Sequence, residues 1–145
     1  TTATREVIKM LKAAGAHVQI LTKGGKRAER DFDLLDGEDW FGITDSGAED
    51  KEPNAELLIR RIISSNYAHV KGIKTWISFE PVYDISEVYG AIRSAEWVDK
   101  IKIGKLNYYP SDINWRVFGE ECERLCKQYG RNYYIKADLR KEMER

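Results

Sequence analysis

The sequence predicts an α/β fold in which short strands alternate with amphipathic helices along a parallel sheet. Three observations carry it: five short runs of branched and aromatic residues, helical apolar spacing in the intervals between them, and Gly or Asx punctuation at the junctions. Parallel neighbours need a crossover connection, so strict alternation makes each connection a right-handed crossover.

The elements follow in order. Val7, Ile8, Leu11 and Ala14 recur at helical spacing from about Thr4, and Gly15 stops that helix as a C′ glycine does. Val18 to Leu21 reads as a strand that leaves through Thr22, Lys23, Gly24 and Gly25. Arg27 to Leu35 forms a brief helix, Asp36-Gly37 turns the chain, and Trp40 to Thr44 is the next strand, with Asp45, Ser46 and Gly47 as its exit. The stretch from Asp45 to Pro53 is acidic and turn-rich. Asn54 is then the expected N-cap of a long helix carrying Leu58, Ile59, Ile62 and Ile63, closed by Gly72.

Thr75 to Phe79 is the clearest strand, and Glu80-Pro81 ends it because proline cannot continue a central ladder. Asp84 with Glu87 three residues on has the form of a capping box, opening a helix with Ile85, Val88, Tyr89 and Ile92 on one face. Lys100 to Ile103 is a strand ending in Gly104, Lys105, Leu106 and Asn107. Asp112 is the expected cap of the last long helix, whose apolar stripe is Trp115, Phe118, Cys122, Leu125 and Tyr129, with Gly130 as its stop. Tyr133 to Ile135 makes a final strand, and Ala137 to Arg145 a polar helical tail.

Composition sets the outer limits. With 145 residues, 42% of them hydrophobic, the chain suits one domain spanning 1–145 around one core. Lys+Arg 24 balances Asp+Glu 24, so no global field draws the chain to nucleic acid, and only a local basic groove stays open. No apolar run approaches the roughly 20 residues that span a bilayer, and Thr1 to Met10 lacks a signal-peptide pattern. The expectation is a soluble, cytoplasmic protein without a membrane partner. Two cysteines make no disulfide framework and suit a reducing compartment. The chain opens on Thr1 and enters a helix with no strand before it, the form expected of a piece of a larger enzyme. An isolated sheet of this kind has two open edges, which invites an edge-mediated homodimer.

Ligands of parallel α/β proteins sit beyond the carboxyl ends of the strands. The four exits Thr22-Lys23-Gly24, Thr44-Asp45-Ser46, Ser78-Phe79-Glu80-Pro81 and Gly104-Lys105-Leu106-Asn107 all pair polar groups with apolar strand residues. They form either one shared ligand cleft or a solvated rim. In the cleft, Lys23 and Lys105 would meet a carboxylate, Glu80 an ammonium or ribose hydroxyl, and Thr44 or Ser78 smaller hydrogen-bonding groups. Cys122-x-x-x-Cys126-x-x-Tyr129 lacks the third thiolate of an iron–sulfur motif, and Cys122 sits on an apolar helical stripe where cysteine acts as a small hydrophobe. His17 and His69 have no ligand-type neighbour at metal spacing in the sequence. No Walker loop, dinucleotide glycine pattern or nucleophile elbow occurs.

The ordered runs Ile20-Leu21-Thr22-Lys23-Gly24, Arg30-Asp31-Phe32-Asp33-Leu34-Leu35, Gly42-Ile43-Thr44-Asp45-Ser46, Glu52-Pro53 with Arg61-Ile62, Gly72-Ile73-Lys74 and Ser78-Phe79-Glu80-Pro81-Val82 resemble the later half of radical S-adenosylmethionine enzymes. The subgroup they most resemble is the spore photoproduct lyase-like proteins. Lys102 to Tyr108 and Tyr133 to Leu139 look like its C-terminal signature.

The resemblance implies a partial TIM-like βα barrel of which this chain is the C-terminal half. It implies S-adenosylmethionine and a 4Fe-4S cluster as cofactors of the parent protein, and neither is expected bound to this fragment. The cluster loop would lie in a missing N-terminal half, so the fragment alone would be inactive. It further implies that Lys23 and Thr44 contact the methionine and ribose parts of the cofactor, with Glu52 and Arg61 supporting them. Ser78 to Val82 would line the adenine or substrate wall. The candidate cofactor-binding set is thus Thr22, Lys23, Thr44, Ser46, Glu52, Arg61, Ser78, Glu80, Pro81, Lys105 and Asn107. The alternative is a free-standing α/β module that binds a nucleotide or acidic peptide without catalysis. A flavodoxin-like flavin site fits less well, because the first exit holds only Gly24-Gly25 and no hydroxyl-rich phosphate loop.

Overall fold

The computed structural model describes residues 2–145. Five strands, β1 (Gln19–Thr22), β2 (Trp40–Thr44), β3 (Lys74–Phe79), β4 (Lys100–Ile103) and β5 (Tyr133–Ile135), form one all-parallel sheet in the order β1-β2-β3-β4-β5. Helices α1 (Thr2–Ala13), α2 (Leu58–Val70), α3 (Ile85–Ser94), α4 (Trp115–Gln128) and α5 (Ala137–Met143) alternate with them, and a 3-10 segment, Gly25–Leu34, stands where a helix would join β1 to β2. Among the described residues no helix is long and apolar enough to cross a membrane.

A sheet whose strands march one way in chain order differs from a doubly wound one, because right-handed connections then place the helices on a single face. The burial pattern agrees. Phe41, Ile43, Ile77, Phe79, Ile101, Ile103 and Ile135 join one buried cluster with Phe32, Ala68 of α2, Val88 and Ile92 of α3, Phe118, Cys122 and Leu125 of α4, and Leu139 of α5. Their strand neighbours alternate onto the opposite face, as the two-residue period demands. There the register aligns Leu21, Gly42, Trp76 and Lys100 in one row and Thr44, Ser78, Lys102 and Tyr134 in the next. No described helix covers these two rows.

Trp76 furnishes that face with its own covering. Its indole N–H donates to the Ile20 carbonyl at 3.1 Å, so the ring lies flat across β2. Gly42 makes the path, since a methyl group there would stand 2.2 Å from ring carbon Cε2. Lys102 Nζ sits 4.2 Å from the ring centroid on a cation–π contact, and Trp76 ends only 5% exposed. Gly42→Ala is expected to cost about 1–3 kcal/mol by overpacking. Urea unfolding followed by tryptophan fluorescence would read the loss, and adding Trp76→Ala should recover part of it. An unchanged midpoint in Gly42→Ala would mean that the indole does not lie on the backbone.

Several boundaries differ from the sequence expectation, each for a local reason. β1 runs Gln19–Thr22, one residue later than expected. α2 begins at Leu58 rather than just after Asn54, because the Glu49 carboxylate accepts the Leu58 N–H and caps the helix through space. α4 is capped by Asn114, whose side chain accepts from Val117 N at 3.1 Å, and not by Asp112. α3 does take Asp84 as its cap, through Ser86 N at 2.8 Å and the Ser86 hydroxyl at 2.6 Å. α2 turns Arg61, Ser64, Ser65 and Ala68 inward and leaves Ile59 and Ile63 outside, so its apolar spacing does not mark its buried face.

Candidate functional site

The exits of β1 and β2 meet at Arg61. This side chain is 1% exposed, an expensive place for a guanidinium unless every donor is met. Its Nε–H donates to the Glu56 carbonyl at 2.6 Å, Nη1 to the Thr44 carbonyl at 2.9 Å, and Nη2 to Glu52 Oε2 at 2.7 Å. The other Glu52 oxygen, Oε1, is 2.7 Å from Lys23 Nζ but makes no hydrogen bond of good angle. Burial pushes the Glu52 carboxyl up, and the Lys23 and Arg61 cations outweigh it, holding the group below the usual carboxylate range. Glu56 N donates to the Lys23 carbonyl at 2.9 Å, which ties the β1 exit to the start of α2. Lys23 and Glu52 line a hollow of about 310 Å³ with Lys51 and Asn54.

A second hollow, of about 260 Å³, lies at the exits of β3 and β4 and is lined by Glu80, Pro81, Lys105, Asn107, Tyr83 and Tyr108. Glu80 accepts from Lys136 and, at 3.4 Å, from Asn107 Nδ2. Lys105 is held by Glu142 of α5 at 2.6 Å and lies 5.7 Å from the Trp115 ring centroid. Gly104 permits this crowding, because a Cβ there would come within 2.8 Å of the Glu80 carboxyl carbon.

The eleven candidate residues therefore fall into groups rather than one ring. Lys23, Glu52, Arg61 and the Thr44 carbonyl converge, while Glu80, Pro81, Lys105 and Asn107 share the second hollow. Thr44 and Ser78 face each other across β2 and β3 on the helix-free side, both 5% exposed. Ser46 links the two regions, its carbonyl accepting from Tyr83 N at 3.0 Å. Thr22 departs from the set. It aligns with Ile43 and Ile77 on the helix-covered side, and its hydroxyl accepts from Gly24 N at 2.9 Å.

Residues outside the expected set belong to this region as well. Lys102 stands in one row with Thr44 and Ser78, and burial with nearby Lys100 pulls its ammonium below the ordinary lysine value. Its signal was the alternation Lys100-Ile101-Lys102-Ile103, which puts both lysines on the face opposite the core. Lys136 and Glu142 gave no local signal, for their partners lie 56 and 37 residues away.

Metal and cluster chemistry finds little to hold. Folding brings His17, Asp36 and Asp39 together with ligand atoms within 4.8 Å, a grouping not visible in sequence spacing. The Lys12 ammonium already supplies the cation there, at 2.7 Å from Asp36 and 2.5 Å from Asp39. Cys122 and Cys126 are buried on α4, where desolvation pushes the Cys126 thiol up to about 11 and the Cys122 thiol higher still. They do not fit an iron–sulfur cluster, which needs thiolates. Comparison of the chain with family models, curated proteins and solved structures found no match.

Proposed function

We propose that this chain forms the C-terminal portion of the partial barrel of a radical S-adenosylmethionine enzyme of the spore photoproduct lyase-like kind, supplying one wall of its cofactor cleft. One observation carries the reading beyond the motif resemblance. The sheet keeps α2, α3, α4 and α5 on one side and turns a polar face, Thr44, Ser78 and Lys102, to the other. In a βα barrel the helix-free side is the inside, and ligands enter at the carboxyl ends of the strands.

The residues present fit S-adenosylmethionine. Lys23 offers a cation to its carboxylate, half-exposed and anchored by Glu52. Glu52 is itself buried between Lys23 and Arg61, so it fixes the position of the Lys23 cation rather than meeting the cofactor. Arg61 touches no ligand in this reading and holds Glu52 and the Thr44 backbone in place, as a positioning residue. The cluster does not fit any side chains of this chain, so its ligands are assigned to an N-terminal portion of the same protein.

Titration calorimetry of S-adenosylmethionine into the parent protein tests the site. Lys23→Ala should weaken binding about tenfold or more while the protein still folds and melts cooperatively; full affinity would remove Lys23 from it. For the parent, anaerobic reconstitution with iron and sulfide should yield cluster absorbance and cofactor cleavage, and the absence of both would refute the enzymatic reading. Binding of AMP by the chain alone, without S-adenosylmethionine binding, would favour the free-standing nucleotide module.

A further inference from the structure

A third cavity, on the helix-covered side, has no part in that reading. It measures about 290 Å³ and opens between α2 and α3, lined by Ile62, Ile77, Ala91 and Trp97 with Asp45 and Glu87 among them. Trp97 is a fixed wall, because its indole N–H donates to the Ser65 hydroxyl at 3.2 Å. Beyond Ile62 and Trp97 a neighbouring hollow of about 410 Å³ continues over Ile63, Tyr67 and Val70, so the apolar floor extends past the carboxylates.

The carboxylates are the informative part. Asp45 is 2% exposed, and Gly47 N at 3.0 Å is the donor that satisfies its Oδ1. No lysine or arginine among the described residues forms an ion pair with Asp45 or Glu87. Arg61, the cation whose field reaches Asp45, spends its donors on Glu52, Thr44 and Glu56. A buried acid without a counter-charge is costly, and an apolar pocket with a few convergent polar groups is the usual form of a ligand site. A hard metal ion needs six or more oxygen ligands, and beside Asp45 and Glu87 the side chains of the lining add one oxygen, the Ser94 hydroxyl, which already donates to the Gly90 carbonyl at 2.9 Å.

We infer that the α2–α3 cavity binds a small protonated amine carried on a flat apolar body, with the ammonium between Asp45 and Glu87 and the body against Trp97. The volume sets the size of the body at about one ring, since it lies at the low end of ligand pockets.

The probe is 2-phenylethylamine, with uncharged 2-phenylethanol as its control, titrated into the isotope-labelled protein above the value of about 7 at which the Asp45 carboxyl ionises, and followed by NMR. The amine should produce saturable shifts at the Trp97 indole N–H and the Ala91 and Ala95 amides, and the alcohol should not. Asp45→Asn keeps the acceptor for Gly47 N and should weaken amine binding tenfold or more. Gly90→Leu supplies a second variant. A Cβ at Gly90 meets nothing within 4 Å, and leucine favours the helix, so this variant should fold and fill the cavity. It should abolish the shifts. Equal binding of amine and alcohol, full affinity in Asp45→Asn, or a Trp97 signal unmoved at saturation would overturn the inference. None of these results bears on the strand-tip site.

Discussion

Arg61→Ala is expected to destabilise the fold by about 3–5 kcal/mol, the cost of removing one partner from a buried ion pair. Two effects add up in that figure. The Glu52 carboxylate loses its one well-aligned charged donor while still 7% exposed at the side chain, and the Thr44 carbonyl loses a partner in a place that water does not reach. Arg61→Lys should recover little, because a single ammonium cannot reach three acceptors set in a fork. Glu52→Gln should cost less, since glutamine still accepts from Nη2 and no anion is left behind. Urea midpoints of the three variants give the order. A loss below about 1 kcal/mol in Arg61→Ala would show that the hub does not hold the strand ends together.

The second large effect is a pH dependence. Burial, reinforced by the negative charge of Glu87, pushes the Asp45 carboxyl from its ordinary 3.8 up to about 7; Gly47 N–H and Arg61 oppose the change, and Glu52 adds to it. The folded state therefore holds a proton that the unfolded chain releases between those two values. Stability linked to Asp45 is complete below about 3.8, falls as pH rises, and is gone above about 7. The full swing is on the order of 4 kcal/mol, because each tenfold gain in proton affinity on folding is worth about 1.4 kcal/mol. Carboxylates with lowered values, such as Glu52 and Asp39, tilt the acid side the other way. The difference between the protein and its Asp45→Asn variant isolates the contribution of Asp45. Asp45→Asn should gain in relative stability from pH 4 to pH 7, and a flat difference across that window would contradict the buried, unpaired carboxylate.

The strands were legible in the sequence because branched and aromatic runs bounded by Gly, Asp and Pro have few other ways to fold. Trp40–Thr44 and Lys100–Ile103 appear at the expected residues. Helix starts were less so. Asn54 has the right chemistry to cap, but the donor at Leu58 finds Glu49 nine residues back, a contact that no local window contains. The inward face of α2 misled for a different reason. Small residues, Ser64, Ser65 and Ala68, let the helix sit close to its neighbours, and Arg61 is buried because each of its three guanidinium nitrogens finds an acceptor. Isoleucine at 59 and 63 then faces outward, which hydrophobic spacing alone does not foresee.

The strand exits identified the region of the site but not its pairings. Topology groups Lys23 with Glu52, a contact between neighbouring connections that sequence order already places close. Lys105 with Glu142 and Glu80 with Lys136 depend on where α5 and the β5 exit come to rest, which is a property of the whole sheet.

The strand order has a consequence for synthesis. Each strand docks beside the one translated just before it, so no segment has to wait for a partner encoded far downstream. Near-neighbour pairing of this kind keeps each loop-closure cost below that of pairing with a more distant strand. The layers can thus accumulate one at a time as the polypeptide leaves the ribosome, each new edge serving as the template for the next.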